Sequence, residues 1–217
     1  MTVRNRGALA ALAAGVAALT VAAVVACGSQ PAGTVGAAEA SALASTPTTA
    51  ASVASVPVTA GELPADAAII PPVRLVIPEI DVTATVNAVG VNERTNEFEV
   101  PPSVDQIGWY RYGPGLEAPT GSVVIAGHVD SARQGRGAFF RLRELDQDDT
   151  LTATGSDGTA RRYRVVAREE YAKTRIPLDR YFARDGKPRL TLITCGGPFD
   201  ATARRYRDNI VVTAAPA

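Results

Sequence analysis

One histidine and one cysteine are the residues of this chain whose types could perform nucleophilic chemistry together. His128 is the only histidine in the protein, and Cys195 is the only cysteine apart from Cys27 near the N-terminus. Each follows an apolar, β-prone run, Val123–Gly127 before the histidine and Leu190–Thr194 before the cysteine. A side chain at the end of a strand is held by a rigid sheet and can face a cleft. A thiol with an imidazole partner is the minimum set for cysteine nucleophilic catalysis.

The residues directly after Cys195 could supply a site for negative charge. Gly196 and Gly197 suit a turn with exposed backbone N–H groups, and such a turn can stabilise an oxyanion. The alternative is that Cys195 is an inert core thiol, since free cysteine is among the most buried residue types. We do not expect a disulfide with Cys27, which belongs to the opposite end of the chain.

Three arginines could add a cation to the thiol. Arg204, Arg205 and Arg207 precede the β-prone run Ile210–Thr213, and pairing of that run with the cysteine strand would bring an arginine beside the sulfur. Arginine stays charged and donates a rigid fork of N–H bonds, so it can hold an oxyanion but cannot shuttle a proton. Proton transfer is therefore left to His128. We assign a function to Arg207 and interpret the other two as a solvated strand edge.

Several other chemistries are excluded by residue type and spacing. A single histidine and two distant cysteines rule out the usual zinc sites, and the chain has no GxSxG elbow, P-loop or GxGxxG element. Asp130 and Ser131 are too close in sequence to His128 to form a triad with it. No metal or cofactor is predicted, and a small acidic cluster is interpreted as a solvated turn: Asp146, Asp148 and Asp149.

The chain of 217 residues has zero formal net charge and a pI near 6.6, which argues against nucleic acid as a partner. Composition divides it into three segments. Residues 1–27 resemble a targeting segment, residues 28–70 a tether, and residues 71–217 a globular domain.

The targeting segment begins with Arg4 and Arg6 and continues as an apolar stretch, Gly7–Ala26, that ends at Cys27. Its last residues resemble a bacterial lipobox, in which the cysteine is lipidated and becomes the new N-terminus. The alternative is an uncleaved signal-anchor, because about 20 residues can span a bilayer. Both interpretations place the rest of the chain outside the cytoplasm, since the arginines stay inside.

The predicted tether, residues 28–70, is rich in Ala, Ser, Thr, Pro and Gly and has no aromatic residue. Such a segment cannot bury enough surface to offset its ordering entropy, so we expect it to be disordered.

The domain that follows is predicted to be mostly β. Short β-prone runs alternate with turn signals, and only Phe139–Leu145 favours a short helix. This pattern indicates a β-barrel or sandwich. The predicted strands are Val73–Ile77, Val82–Val86, Val123–Ala126, Thr150–Thr154, Tyr163–Ala167, Arg189–Thr194 and Ile210–Thr213.

Three blocks of this domain resemble the sortases, specifically the class E/F type of actinobacteria. The first is the opening Val73–Val82, which reads VRLVIPEIDV, and the second is Val124–Ser131, which reads VIAGHVDS. The third is Thr191–Asp200, TLITCGGPFD, followed by Tyr206–Val212, YRDNIVV. The resemblance covers residues 72–215.

This resemblance implies an eight-stranded sortase β-barrel with short helices and a cysteine transpeptidase without a cofactor. It makes Cys195 the nucleophile, His128 the general acid/base and Arg207 the transition-state arginine, while Thr194 lines the site and Gly196 belongs to the oxyanion region. The substrate would be a sorting-signal peptide similar to LPxTG, and the acceptor a peptidoglycan precursor amine. The partners would also include the membrane, through the N-terminus.

Two alternatives to a transpeptidase remain open from the sequence. The same fold could use water as the acceptor and act as a peptidase. The chain could also be a surface lipoprotein that binds a peptide or wall component without chemistry.

Overall fold

The computed structural model describes residues 33–45, 69–92, 94 and 97–217. The predicted targeting segment with Cys27, and most of the predicted tether, lie outside these residues. None of the helices in the described part of the chain is long and apolar enough to cross a membrane.

The described residues form twelve strands and very little helix. Helix α1 spans Ala37–Ala44 and helix α2 spans Leu178–Tyr181. The first six strands are β1 (Pro72–Ile77), β2 (Val82–Val89), β3 (Val91–Asn92), β4 (Glu97–Phe98), β5 (Ile107–Tyr110) and β6 (Ser122–Gly127). They are followed by β7 (Asp130–Ser131), β8 (Gly135–Arg136), β9 (Thr150–Gly155), β10 (Ala160–Ala172), β11 (Arg189–Asp200) and β12 (Arg205–Pro216). The helix predicted at Phe139–Leu145 is reduced to one 3-10 turn, Leu142–Glu144.

Eight of these strands close into a barrel in the order β1–β2–β5–β6–β11–β12–β10–β9, which confirms the predicted eight-stranded barrel. The pairs β2–β5 and β6–β11 are parallel, and the other neighbours in the barrel are antiparallel. β3–β4 and β7–β8 form separate two-stranded sheets. Closure removes the unpaired edges that an open sheet would expose.

Burial follows the position of each strand in the barrel. In β2, the apolar Val82, Ala84 and Val86 are buried and alternate with exposed threonines, as expected of a strand with one face in solvent. Every residue of β6 is buried, and so are most residues of the first half of β11. A strand with a buried face has little freedom to slip, so the paired stretches of β6 and β11 are firmly placed.

Residues 33–45, which lie within the predicted tether, are bonded to the barrel. Val35 forms an antiparallel bridge with Arg168 of β10, with N–H to carbonyl distances of 2.8 and 3.0 Å. The guanidinium of Arg168 also donates to the carbonyl of Gly33 at 3.1 Å. Ala40 of α1 is 2% exposed.

Small side chains explain why this segment packs against the barrel. Gly36 has a left-handed φ of 68°, and a Cβ there would lie 1.9 Å from the Val166 carbonyl oxygen. At the other end of α1, the Leu43 carbonyl accepts the Lys187 N–H at 2.8 Å. Composition alone suggests low hydrophobicity, whereas alanine and glycine here allow close backbone approach and hydrogen bonding.

The connection from β10 to β11 is fastened by a buried carboxylate. Glu169 of β10, with its side chain 3% exposed, accepts Arg180 of α2 at 2.9 Å. The hydroxyls of Tyr171 and Tyr181 donate to the same carboxylate, each at 2.7 Å. Burial raises the pKa of Tyr181, so its phenol stays a proton donor. A buried charge is tolerated only when it is paired and hydrogen-bonded in this way.

We predict that Glu169→Ala lowers the free energy of unfolding by about 3–5 kcal/mol, because the arginine and both phenols lose a buried acceptor. Urea unfolding of the full-length protein measures the change. Glu144→Ala is the control, since its ion pair with Arg141 is exposed and such pairs contribute about 0–1 kcal/mol. Equal midpoints for the two variants would contradict the role given to Glu169.

Candidate active site

The parallel pairing of β6 with β11 brings the histidine and the cysteine to one end of the barrel. The ladder runs from Arg189 opposite Ser122 to Ile193 opposite Ala126. Cys195 and His128 each follow that last pair by two residues, one on each strand. Neighbouring strands lie about 4.8 Å apart. β6 ends at Gly127, whereas β11 continues past Cys195. Both residues therefore lie at the same end of the β6–β11 ladder.

The ring of His128 is oriented by a backbone carbonyl. Its Nε2 lies 3.0 Å from the Pro101 carbonyl oxygen, which can only accept, so Nε2 carries a proton. Nδ1 is then the nitrogen that can take up or release a proton. The backbone of His128 is packed closely as well: a Cβ at Gly137 would lie 2.2 Å from the His128 carbonyl oxygen.

A tyrosine links the loop after the histidine to β12. The hydroxyl of Tyr206 donates to the carboxylate of Asp130, two residues after His128. This hydrogen bond, with a smaller contribution from burial, raises the pKa of Tyr206 to about 12. The strand that carries Arg207 is thereby connected to the segment that carries His128.

The sulfur of Cys195 lies beside a lysine. The Nζ of Lys173 donates to Sγ at 3.3 Å, and it is the hydrogen-bond partner of this sulfur among the described residues. Lys173 follows the last residue of β10, and its backbone N–H donates to the Arg207 carbonyl at 3.1 Å. The thiol is half-buried rather than sealed in the core.

Thr194 and the glycine pair shape the backbone around the cysteine. Thr194 is 4% exposed, and its hydroxyl donates to the Gly127 carbonyl at 2.8 Å, so it ties β11 to the residue before His128. The expected turn at Gly196–Gly197 is absent, because β11 continues through both glycines as an irregular strand paired with β12. A Cβ at Gly196 would lie 2.6 Å from the Ile210 side chain. Close packing between the strands requires glycine there.

Arg207 lies on β12 opposite the irregular part of β11 and is exposed. The antiparallel β11–β12 pairing confirms that the arginine-bearing strand returns alongside Cys195. The guanidinium reaches the Asp200 carboxylate at 3.4 Å, with the arginine side chain 64% exposed. Hydrogen bonds from the Ala203 backbone, with help from Arg207, lower the pKa of Asp200. Arg205 is exposed at the tip of the hairpin.

The carboxylates of the acidic cluster after the 3-10 turn are engaged within the protein. Asp146 pairs with Arg168 at 2.8 Å, and the Asp149 carboxylate accepts the Asp146 backbone N–H. Among the described residues, no group of three or more His, Cys, Asp or Glu side chains could hold a metal ion.

A family model of the sortase domain matches residues 75–217. The chain belongs to the sortase family. The barrel is similar to that of sortase C-1 from Actinomyces oris, with a TM-score of 0.52 at 21% identity over 66% of this chain and 72% of that one. It is also similar to sortase A from Corynebacterium diphtheriae, with a TM-score of 0.51 at 22% identity over 68% of this chain and 61% of that one. A comparison with curated proteins finds no match.

Membership of this family makes the protein a cysteine transpeptidase, and the prediction of a sortase is confirmed at this level. Sortases process sorting signals and act at the cell surface outside the cytoplasm. The assignment to class E/F stays a prediction, because the structural relatives named above belong to classes A and C.

The residue of this sortase site that sequence reasoning missed is Lys173. It is separated from Cys195 by 22 positions, and only the β10–β12 and β11–β12 pairings bring the two together. Composition could have singled out this residue, because Lys173 and Lys187 are the only lysines among 22 basic residues.

We predict that Thr194→Val in this sortase lowers the free energy of unfolding by about 1–3 kcal/mol, because the Gly127 carbonyl loses its buried donor. Denaturant unfolding of the full-length protein measures it. Thr85→Val on the exposed face of β2 is the matched control, with an expected change within about 0.5 kcal/mol. If the two substitutions have equal effects, the Thr194 hydroxyl does not fasten β11 to β6.

Proposed function

We propose that this sortase is of the class E/F type and cleaves an LPxTG-like sorting signal between Thr and Gly. Cys195 is the nucleophile, His128 the general acid/base and Arg207 the arginine that stabilises the transition state. The acyl group passes to a peptidoglycan precursor amine. The observation that carries the proposal is the end of the β6–β11 ladder, where the histidine and the cysteine each follow the last pair by two residues.

Acylation begins when Cys195 passes its thiol proton to Nδ1 of His128 and the resulting thiolate attacks the carbonyl carbon of the substrate threonine. The C=O π electrons move to oxygen and form a tetrahedral oxyanion. As this collapses, the C–N bond to glycine breaks, and the leaving amine takes a proton from Nδ1 of His128. Nε2 remains bonded to the Pro101 carbonyl throughout, so the ring keeps its orientation. The product is a thioester on Cys195.

Deacylation reverses these roles. The incoming amine attacks the thioester carbon and gives its proton to Nδ1 of His128. The C–S bond then breaks and the thiolate of Cys195 is restored. A new amide bond replaces the one that was cleaved, so no external energy source is required.

Arg207 would hold the oxyanion after leaving Asp200. Its guanidinium is exposed, and an exposed ion pair is worth only about 0–1 kcal/mol, so the exchange costs little. Arginine suits this role because it remains charged and donates in a fork.

We predict that the full-length protein, incubated with an LPxTG-type peptide and a glycine-based amine, yields an acyl-enzyme on Cys195 and a transpeptidation product. Mass spectrometry detects both. Cys195→Ala should abolish both species. Arg207→Ala should lower kcat about 10²- to 10³-fold, the usual loss for one oxyanion donor. Arg205→Ala at the exposed hairpin tip is the matched control.

The same experiment distinguishes the acceptor. Hydrolysed peptide that is unaffected by added amine would assign the protein as a peptidase instead. The absence of both acyl-enzyme and product across a peptide library would contradict the proposed cleavage of an LPxTG-like signal by this chain.

We further propose that residues 1–27 hold the enzyme at the extracytoplasmic face of the membrane, by lipidation of Cys27 or as an uncleaved signal-anchor. The apolar stretch after two arginines supports an anchor of either kind.

Lipidation predicts that Cys27→Ser abolishes incorporation of a labelled fatty acid and leaves the precursor uncleaved. Metabolic labelling and the mass of the mature chain measure this in cells. Cys195→Ser is the control for labelling of the other cysteine and should retain the lipid. An unchanged mature mass in Cys27→Ser would favour the signal-anchor.

A further inference from the structure

We propose that Lys173 is a further catalytic residue of this sortase, whose ammonium group stabilises negative charge on the sulfur of Cys195. The inference rests on the proposed role of Cys195 as nucleophile and adds a member to that site. The contact that carries it is the 3.3 Å distance between Lys173 Nζ and Cys195 Sγ.

The backbone holds Lys173 in this position. β10 pairs with β12 as far as Ala172 opposite Asp208, and the next N–H, that of Lys173, donates to the Arg207 carbonyl at 3.1 Å. The chain then turns, with Arg175 N–H donating to the Ala172 carbonyl at 2.8 Å. A strand end that is hydrogen-bonded on β12 thus directs the lysine side chain across β12 toward β11.

The other charged and titratable groups around the sulfur have partners elsewhere. His128, at the end of β6, uses Nε2 for the Pro101 carbonyl. On β12, Tyr206 donates to Asp130 and Arg207 contacts Asp200. Lys173, from the β10–α2 connection, is the charged side chain in direct contact with the thiol among the described residues.

An ammonium suits this task better than a guanidinium. It is a compact point charge that can approach a single atom, whereas arginine is shaped for two oxygens. A cation next to a cysteine favours the thiolate, which is the nucleophilic form. That one of only two lysines among 22 basic residues lies on the thiol is consistent with this requirement.

Lys173 acts twice in the reaction, before acylation and again on deacylation. Before acylation, Cys195 gives its proton to Nδ1 of His128 and the thiolate pairs with the ammonium. When sulfur attacks the substrate carbonyl, its charge passes to the oxyanion and the ammonium is released to solvent. On deacylation the C–S bond breaks, and the departing thiolate regains its cation. The lysine itself gains and loses no proton in this sequence.

The test is the pH dependence of Cys195 alkylation by iodoacetamide in the full-length protein, in which thiolate displaces iodide. The tryptic peptide Leu190–Arg204 contains Cys195 and separates its signal from that of Cys27. We expect Lys173→Met to shift the rate profile to higher pH, with about tenfold slower alkylation near pH 7. Lys173→Arg, which keeps the charge on a less compact group, should show a smaller shift than Lys173→Met. Lys187→Met, at the other lysine, should have no effect.

A profile of Lys173→Met that coincides with that of the unmodified protein would overturn the inference. Equal shifts in Lys173→Met and Lys173→Arg would also overturn it, because the charge would then not be the cause. Circular dichroism of each variant shows that the fold is kept. Acyl-enzyme formation without a profile shift removes Lys173 and leaves the proposed function intact. A shift without acyl-enzyme keeps the lysine–thiol pair and removes the proposed function.

Discussion

The site of this sortase depends on one constraint, the parallel pairing of β6 with β11. The two strands are far apart in sequence, and their registered contact over Ser122–Ala126 and Arg189–Ile193 closes the barrel between β5 and β12. Buried side chains strengthen the same seam: the hydroxyls of Ser122 and Thr191 lie 2.7 Å apart. Because both strands are buried, a shift of one residue would turn apolar side chains to the wrong face. The positions of the thiol and the imidazole are consequences of that register rather than of local sequence.

Contacts of β10 with α2 and with residues 33–45 hold the strand that leads to Lys173. The buried carboxylate of Glu169 holds α2 through Arg180, and α2 follows directly on the segment that carries Lys173. The segment of residues 33–45 bonds to the same strand, at Arg168. The residue of the buried ion pair, Glu169, and the lysine proposed to act on Cys195 therefore lie on one continuous stretch of chain.

Much of this arrangement could be predicted from sequence, because it rests on residue type and strand period. His128 and Cys195 are predicted because each is the only residue of its type in the domain. β1, β2, β6, β9 and the cores of β10–β12 follow from apolar runs. β5 was missed, since Ile107–Tyr110 is short and contains glycine. The end of β10 is not predicted either, because Arg168–Glu170 is charged, and Arg168 and Glu169 are buried only through partners from elsewhere in the chain. Lys173 required long-range pairing that no local pattern reports.

The central claim is that the thiol and the imidazole share one site at the end of this seam, and the single histidine makes it directly measurable. Nitrogen-correlated NMR of the labelled full-length protein gives one imidazole spectrum, that of His128. The account predicts a ring protonated on Nε2, with both ring resonances moving when Cys195 is blocked by methanethiolation. The Cys195→Ala variant should show no change under the same reagent. A ring that is indifferent to blocking of Cys195 would contradict the account.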